Sequence, residues 1–369
     1  MIYLDHNATA PLLPEAQAAM TDAMALTGNP SSVHAAGRAA RTAVETARRE
    51  VAALAGVRAD RVVFTSGGTE ANLLALAGWQ RANPGGRILV SAVEHPSVLA
   101  ALDTVETLPV DGDGLVDPAA VERALAGGGA ALVSVMLANN ETGAVQPVAE
   151  IAAVARRHGA AVHTDAVQAA GRVALDFEAL GADMMTLSAH KIGGPAGVGA
   201  LILRDPAMVA PVMRGGGQER RLRGGTENLI GIAGFGAAAK AAREGQGRAP
   251  ALAALRGRLE SGVLAAVPGA RVLAADARRL PNTTCLSLPG LKAETQVMAL
   301  DLDGFAVSAG SACSSGKVAR SHVLAAMGVD EAVALGAIRV SLGYGTTEAE
   351  IDAFVAAWAR LYQRARAAA

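Results

Sequence analysis

Between about Arg61 and Leu203, short runs of strand-forming residues alternate with helix-like stretches, and this alternation limits what the chain can fold into more than any other feature. The runs are Val62-Val63-Phe64, Ile88-Leu89-Val90, and residues 131–137, 160–163, 184–187 and 200–203. Segments between them, such as 71–80 and 148–158, carry Ala and Leu at helical spacing and close on Gly or Pro signals. Strand, helix and strand in succession predict an α/β fold with a mostly parallel sheet covered by helices. Beyond Thr226 the pattern changes. An Ala-rich stretch over 230–267, interrupted at Gly245, Gly247 and Pro250, predicts two helices with a break. The remainder, with strand-like residues at 284–288, 306–308 and 338–342, predicts a smaller α+β unit.

The balance of 33 Lys and Arg against 34 Asp and Glu removes any general electrostatic reason to bind nucleic acid or acidic membranes, which leaves small molecules and proteins as partners. A chain of 369 residues that is 51% hydrophobic can fill a sizeable core. It shows neither a basic leader with an apolar stretch nor an apolar run of spanning length, so a soluble cytoplasmic protein is expected. Its two cysteines, Cys285 and Cys313, are too few for a disulfide framework and lack metal-ligand spacing.

The turn Thr65-Ser66-Gly67-Gly68-Thr69-Glu70-Ala71-Asn72 joins a predicted strand to a predicted helix. Glycines let backbone N–H groups approach an anion, and a helix start favours negative charge, so the turn suits a phosphate; it equally suits an ordinary capped β–α turn. Three further strand ends carry polar groups: Asn139 and Asn140, then Asp165 and Gln168, then Ser188, His190 and Lys191. Each alone reads as a turn, a cap or a solvated charge. Together they point to one site beyond the carboxyl ends of the strands, where open α/β sheets collect ligands. Lys191, between an apolar run and Gly193-Gly194-Pro195, is placed for desolvation, which makes an amine a better Schiff-base nucleophile. Its partner would be an aldehyde. Pyridoxal 5'-phosphate fits, because its ring nitrogen needs a carboxylate such as Asp165 and its phosphate a Gly-rich helix start such as Gly68-Thr69.

Several phrases then resemble one family in the family's order: Tyr3-Leu4-Asp5-His6-Asn7-Ala8-Thr9, Gly28-Asn29-Pro30-Ser31-Ser32, Glu94-His95, Asn139-Asn140-Glu141-Thr142-Gly143, Ser188-Ala189-His190-Lys191, Gly215-Gly216-Gly217-Gln218-Glu219-Arg220, Arg223-Gly224-Gly225-Thr226 and Ser311-Ala312-Cys313-Ser314-Ser315-Gly316. They look like the NifS/IscS-like cysteine desulfurases of the class V aminotransferase fold. The resemblance implies fold type I of the pyridoxal-phosphate enzymes, with a large cofactor domain over 14–258 and a small domain over 1–13 and 259–369 that carries the cysteine loop. It implies that Lys191 binds the cofactor covalently, Asp165 meets the ring nitrogen, Gln168 the ring oxygen, and His95 stacks on the ring. Gly68, Thr69, Ser188 and His190 would hold the phosphate, with Thr226 reaching in from the second subunit of a homodimer. Asn140, on the cofactor side, and Arg339 would take the carboxylate of L-cysteine. Arg220 and Arg223 stay open between loop charges and active-site groups.

Cys313 lies among small residues with glycines at both ends, which reads as a mobile loop able to present a thiolate. Cys285, inside a predicted strand, reads as a small apolar residue. By resemblance Cys313 would accept sulfur as a persulfide while cysteine becomes alanine, and pass it to an acceptor such as an iron–sulfur scaffold. No metal is implied in the resting protein, although Cys313 would be able to meet a nascent cluster on a scaffold. A selenocysteine lyase or aminotransferase of the same fold would share the cofactor site without needing Cys313, and a silent cofactor-binding protein would not need Lys191.

Overall fold

A computed structural model describes residues 1–288, 290–310 and 321–368, so Cys313 lies outside the described residues. The larger sheet has seven strands in the order Val62–Thr65, Gly199–Leu203, Met184–Ser188, Ala161–Asp165, Ala131–Ser134, Arg87–Ser91 and Glu106–Leu108. All but Gly199–Leu203 run in the same direction, the mostly parallel sheet that the alternation predicts. Every residue of Val62–Thr65, Ala131–Ser134, Met184–Ser188 and Gly199–Leu203 is buried. Helices therefore cover both faces, which is why these strands read as unbroken apolar runs and not as alternating ones.

Gly199–Leu203 is antiparallel to both of its neighbours. The physical reason is its short connection: the chain leaves Met184–Ser188 through the 3-10 turn Ala189–Lys191 and re-enters the sheet at Gly199, too few residues for a crossover helix. Lys191 sits inside this reversal. Two glycines make the packing there possible. A Cβ on Gly199 would lie 2.6 Å from the carbonyl carbon of Gly67, and one on Gly193, at φ +82°, would lie 2.5 Å from Leu13 Cγ.

The smaller unit is a four-stranded antiparallel sheet ordered Ser308–Ala309, Ala337–Ser341, Thr283–Ser287 and Arg271–Leu273. Residues 306–308, expected as one strand, divide between two partners. Phe305–Ala306 pairs in parallel with Ile2–Tyr3, whereas Ser308–Ala309 joins Ala337–Ser341. The helix pair expected over 230–267 is present as Leu229–Glu244 and Ala249–Ala266. The second of these spans the expected boundary after residue 258, and its Leu252, Leu259 and Val263 share one apolar cluster with Phe354 and Trp358 of the last helix, Glu348–Ala368. After Ile2–Tyr3 the chain crosses to the larger unit, where Ala10 N–H donates to His190 O (2.8 Å) and Leu13 N–H to Gly193 O (2.9 Å).

Trp358 is fully buried and donates from Nε1 to Gln296 Oε1 (2.9 Å), while Gln296 Nε2 donates to the carbonyls of Leu291 and Gly336. Trp358→Ala is expected to lower unfolding free energy by about 3–5 kcal/mol, and Trp358→Phe, which leaves Gln296 Oε1 without its donor, by about 1–3 kcal/mol. Urea denaturation followed by circular dichroism checks the order of the two.

Candidate active site

The carboxyl ends of the parallel strands bring the predicted polar residues to one edge of the sheet. Helix Gly68–Ala82 begins there with Gly67 as its cap residue and no side chain bonded to its first turn. Glu70 turns back, accepting from Ser66 N–H (2.7 Å) and from Arg223 Nε (2.8 Å). Arg223 thus braces this turn, and Arg220 donates to Asp60 O (2.6 Å), so both arginines have partners within the fold. A Cβ on Gly68 would come within 3.1 Å of Val167 Cγ2 and 3.5 Å of Ser188 Cβ, which places the helix start against the ends of two neighbouring strands. An uncapped start of this kind, with its dipole, is an anion cradle.

Asp165 ends the strand Ala161–Asp165 and is 6% exposed. Its Oδ1 accepts from Val167 N–H (2.9 Å) and its Oδ2 from Asn72 Nδ2 (2.8 Å), and among the described residues it forms no ion pair. The other hydrogen of the Asn72 amide goes to Ser97 Oγ (2.9 Å). Ser97 Oγ lies 2.7 Å from His95 Nδ1, and Ser97 N–H donates to the same nitrogen at 3.1 Å. An amide N–H can only donate, so Nδ1 is an acceptor and the neutral ring carries its proton on Nε2. Burial is the largest influence on His95 and pulls its pKa down; Asp165 opposes this, and Lys191 and His322 add to it. The imidazole is therefore neutral at pH 7.

Lys191 Nζ donates to Asn7 O (2.7 Å) and Ala8 O (2.6 Å). The segment that supplies these carbonyls also meets Gln168, Asn140, Arg172 and His190. Asn7 O also accepts from Gln168 Nε2 (3.0 Å), Asn7 Nδ2 donates to Asn140 O (3.1 Å), and His6 O accepts from Arg172 Nη2 (3.2 Å). Thr9 Oγ1 lies 3.3 Å from His190 Nδ1. A cavity of about 470 Å³ opens beside Lys191, with His6, Arg172, Asn282 and Tyr344 in its walls; Asp165, His95, Asn140 and Arg339 are not among its lining residues.

Arg339, from the smaller unit, reaches the same edge. It is 3% exposed and donates from Nη1 to Asn140 O (3.1 Å) and from Nη2 to Asp5 Oδ1 (2.8 Å). Its buried Nε has no hydrogen-bond partner among the described residues. That leaves donors for one more acceptor, and a carboxylate matches the fork. Asn140 itself is half-buried, its side chain without a hydrogen bond among the described residues. Thr226 is exposed on the loop before helix Leu229–Glu244 and is not brought to the other site residues of its own chain.

Sequence reading did not single out Asp5, Asn7, Asn72, Glu94 or Glu141. For Asn72 the signal was a polar side chain at a buried helical position between Ala71 and Leu74. Glu94, fully buried beside His95, accepts from Met136 N–H and leaves Oε2 unpartnered; burial holds its pKa well above the carboxylate range. Glu141 accepts from Ser321 Oγ (2.6 Å), and burial pushes its pKa up to about 7 against the pull of Ser321 and Arg339. Cys285 is fully buried in Thr283–Ser287, opposite Arg339, and burial pushes its thiol up to about 12. No cluster of metal-ligating side chains occurs among the described residues.

A family model described as aminotransferase class V matches residues 2–354. A cysteine desulfurase of Cereibacter sphaeroides is 50% identical over 95% of this chain and 93% of its own length. Among solved structures, the NifS-like protein from Rickettsia africae superposes with a TM-score of 0.89 at 36% identity, covering 98% of this chain and 99% of that one. SspA in complex with cysteine superposes with a TM-score of 0.79 at 30% identity, covering 93% and 99%.

Two outcomes follow from the buried groups. Cys285 is expected to resist an aromatic disulfide reagent in the native protein and to react on denaturation, which peptide mapping of the labelled thiol detects. Glu141, with its folded pKa raised from 4.5 to about 7, favours folding below its unfolded pKa, and that contribution fades as pH rises through about 7. The loss amounts to at most about 3 kcal/mol. Glu141→Gln is expected to flatten the fall in stability between pH 5 and pH 8 in paired urea titrations.

Proposed function

The chain belongs to the aminotransferase class V family, and from that premise we propose that it is a pyridoxal-phosphate-dependent cysteine desulfurase that converts L-cysteine to L-alanine and takes the sulfur on Cys313. The observation that carries the reading is the convergence of a buried, fixed carboxylate at Asp165, a neutral His95, Lys191 and an uncapped helix start at one sheet edge. This set fits the cofactor. A buried carboxylate braced only by neutral donors suits a protonated ring nitrogen, and the start of Gly68–Ala82 with Thr69, Ser188 and His190 suits a phosphate. Gln168 and Asn140 lie on the same side, both tied to Asn7. When bound, the cofactor supplies an aldehyde for Lys191 and an electron sink for the substrate carbon.

The residues then divide the work. Arg339, with its unpartnered Nε, binds the cysteine carboxylate together with Asn140. Lys191, held by two backbone carbonyls, is the amine that moves the Cα proton. His95, whose Nδ1 is committed to Ser97 N–H, carries its proton on Nε2 and offers it as a donor to the substrate sulfur. The Cys313 thiolate attacks the substrate sulfur. The S–S bond forms as the Cβ–S bond breaks, and the released electron pair stays on carbon, which gains the proton that the thiol gave up and leaves as alanine. The sulfur atoms are oxidised and the carbon is reduced, so no outside redox partner is needed for persulfide formation.

We extend the reading to a cytoplasmic homodimer in which Thr226 serves the neighbouring subunit's phosphate site. Its exposure on the loop before helix Leu229–Glu244 supports this. No helix among the described residues is long and apolar enough to cross a membrane. The cargo passes to an acceptor protein such as an iron–sulfur scaffold. The large unit then carries the cofactor, and the small unit, with the segment before residue 14, carries Arg339 and the Cys313 phrase.

Mass spectrometry after brief exposure to L-cysteine is expected to find one added sulfur on Cys313, with alanine formed in step with sulfide when a reductant is present. A Cys313→Ser variant that keeps full sulfur release would sink the mechanism. Lys191→Ala is expected to lose the yellow absorbance of the covalently held cofactor.

A further inference from the structure

Asn72 touches no substrate, yet it contacts both halves of the proposed cofactor site. The side chain is 1% exposed, on the buried face of helix Gly68–Ala82. A primary amide has two N–H hydrogens, and both are committed: one to Asp165 Oδ2 at 2.8 Å, the other to Ser97 Oγ at 2.9 Å. Because Ser97 Oγ accepts from Asn72, its own hydrogen is directed to His95 Nδ1, 2.7 Å away. The chain of donors therefore runs from one amide to the carboxylate in one direction and to the imidazole in the other. The remaining atom, Asn72 Oδ1, is buried without a partner among the described residues. An unsatisfied buried acceptor is unfavourable for folding, and an apolar residue of similar volume would avoid it, so stability alone does not account for an amide here.

The geometry points to Asn72 as a positioning residue that fixes the spacing between Asp165 and His95, the two side chains assigned to the ring nitrogen and to the ring face. This rests on the proposed reading of that pair. One arm holds the carboxylate; the other, through Ser97, sets the imidazole. Asn72 acts on the reaction only through these two groups.

The two arms separate experimentally in the holoenzyme. Asn72→Leu removes both donors and the unsatisfied oxygen while keeping the number and branching of side-chain heavy atoms, and Ser97→Ala removes only the arm to His95. Cofactor retention is read from the decay of the yellow band during dilution and dialysis, and turnover from alanine formation. Asn72→Leu is expected to release cofactor roughly tenfold faster and to lower kcat roughly tenfold, the size of effect a lost hydrogen bond to a charged group produces. Ser97→Ala is expected to hold cofactor within about twofold of the unaltered protein while lowering kcat severalfold. Ser97→Ala added to Asn72→Leu is expected to reduce kcat no further, since both act through one chain of bonds. Release and kcat both within about twofold of normal in Asn72→Leu, or a full additional loss in the double variant, overturns the proposal. If Asn72→Leu does not fold, an unchanged kcat in Ser97→Ala overturns it equally. Asp165→Ala tells this failure from that of the underlying reading: cofactor retained as firmly as in the unaltered protein would discard the assignment of Asp165 itself.

Discussion

Asn7 is the joint on which the site depends. Its carbonyl accepts from Lys191 and Gln168 of the larger unit, and its side chain donates to Asn140 O and to Thr283 Oγ1 of the smaller sheet, while its Oδ1 accepts from Asn282 Nδ2. All of this occurs in a residue that is 1% exposed. Hydrogen bonds made in such a setting are hard to exchange for bonds to water, and a missing partner would leave several buried groups unsatisfied at once. The five residues from Asp5 to Thr9 thereby place groups from two separate sheets at fixed separations. Lys191, Gln168, Asn140, Arg172 and Arg339 each bond to this segment or to a carbonyl it braces.

Much of the larger unit was legible because its strands are buried on both faces and read as apolar runs, each followed by polar residues where the chain leaves the sheet. Lys191, Asp165 and Ser188 were visible for that reason. The antiparallel course of Gly199–Leu203 was not, since local pattern gives strand type but not direction; the shortness of the link after Lys191 was the available clue. The strands Glu106–Leu108, Arg271–Leu273 and Ile2–Tyr3 were missed because two or three residues carry no period. Asp5, Asn7 and Asn72 escaped for another reason. Their roles lie in contacts across large sequence separations, and a polar residue in a buried position announces only that some partner exists, not which.

Burial sorts the titratable groups of the site by consequence. His163, inside the larger sheet, is bracketed by Ser134 Oγ (2.8 Å) and Thr186 Oγ1 (3.0 Å), and burial lowers its pKa to about 3, so it is an inert neutral element of the core. His95 has the same cause of depression but faces Asp165 and Lys191, which makes its proton useful. Arg172, fully enclosed, has only neutral oxygen partners in Gln168 and His6, and burial lowers its pKa to about 9. It stays charged at neutral pH, a fixed positive charge beneath Lys191 and Arg339. Cys285 is sealed against ionisation by the same cause, with burial pushing its thiol up to about 12.

The pairing of Ile2–Tyr3 with Phe305–Ala306, and of Asp5 with Arg339 across 334 residues, also has a consequence for synthesis. Residues 2–5 are made long before the partners they find. At ribosomal rates of roughly 5–20 residues per second, Leu4 and its neighbours wait on the order of half a minute before the strand that receives them exists. The larger sheet can condense from its own local βαβ units in that interval, but Lys191 lacks the settled carbonyls of Asn7 and Ala8 until the far end of the chain has folded. Long-range closure of this kind is slow, which makes the settling of the Asp5–Thr9 segment a late step of folding.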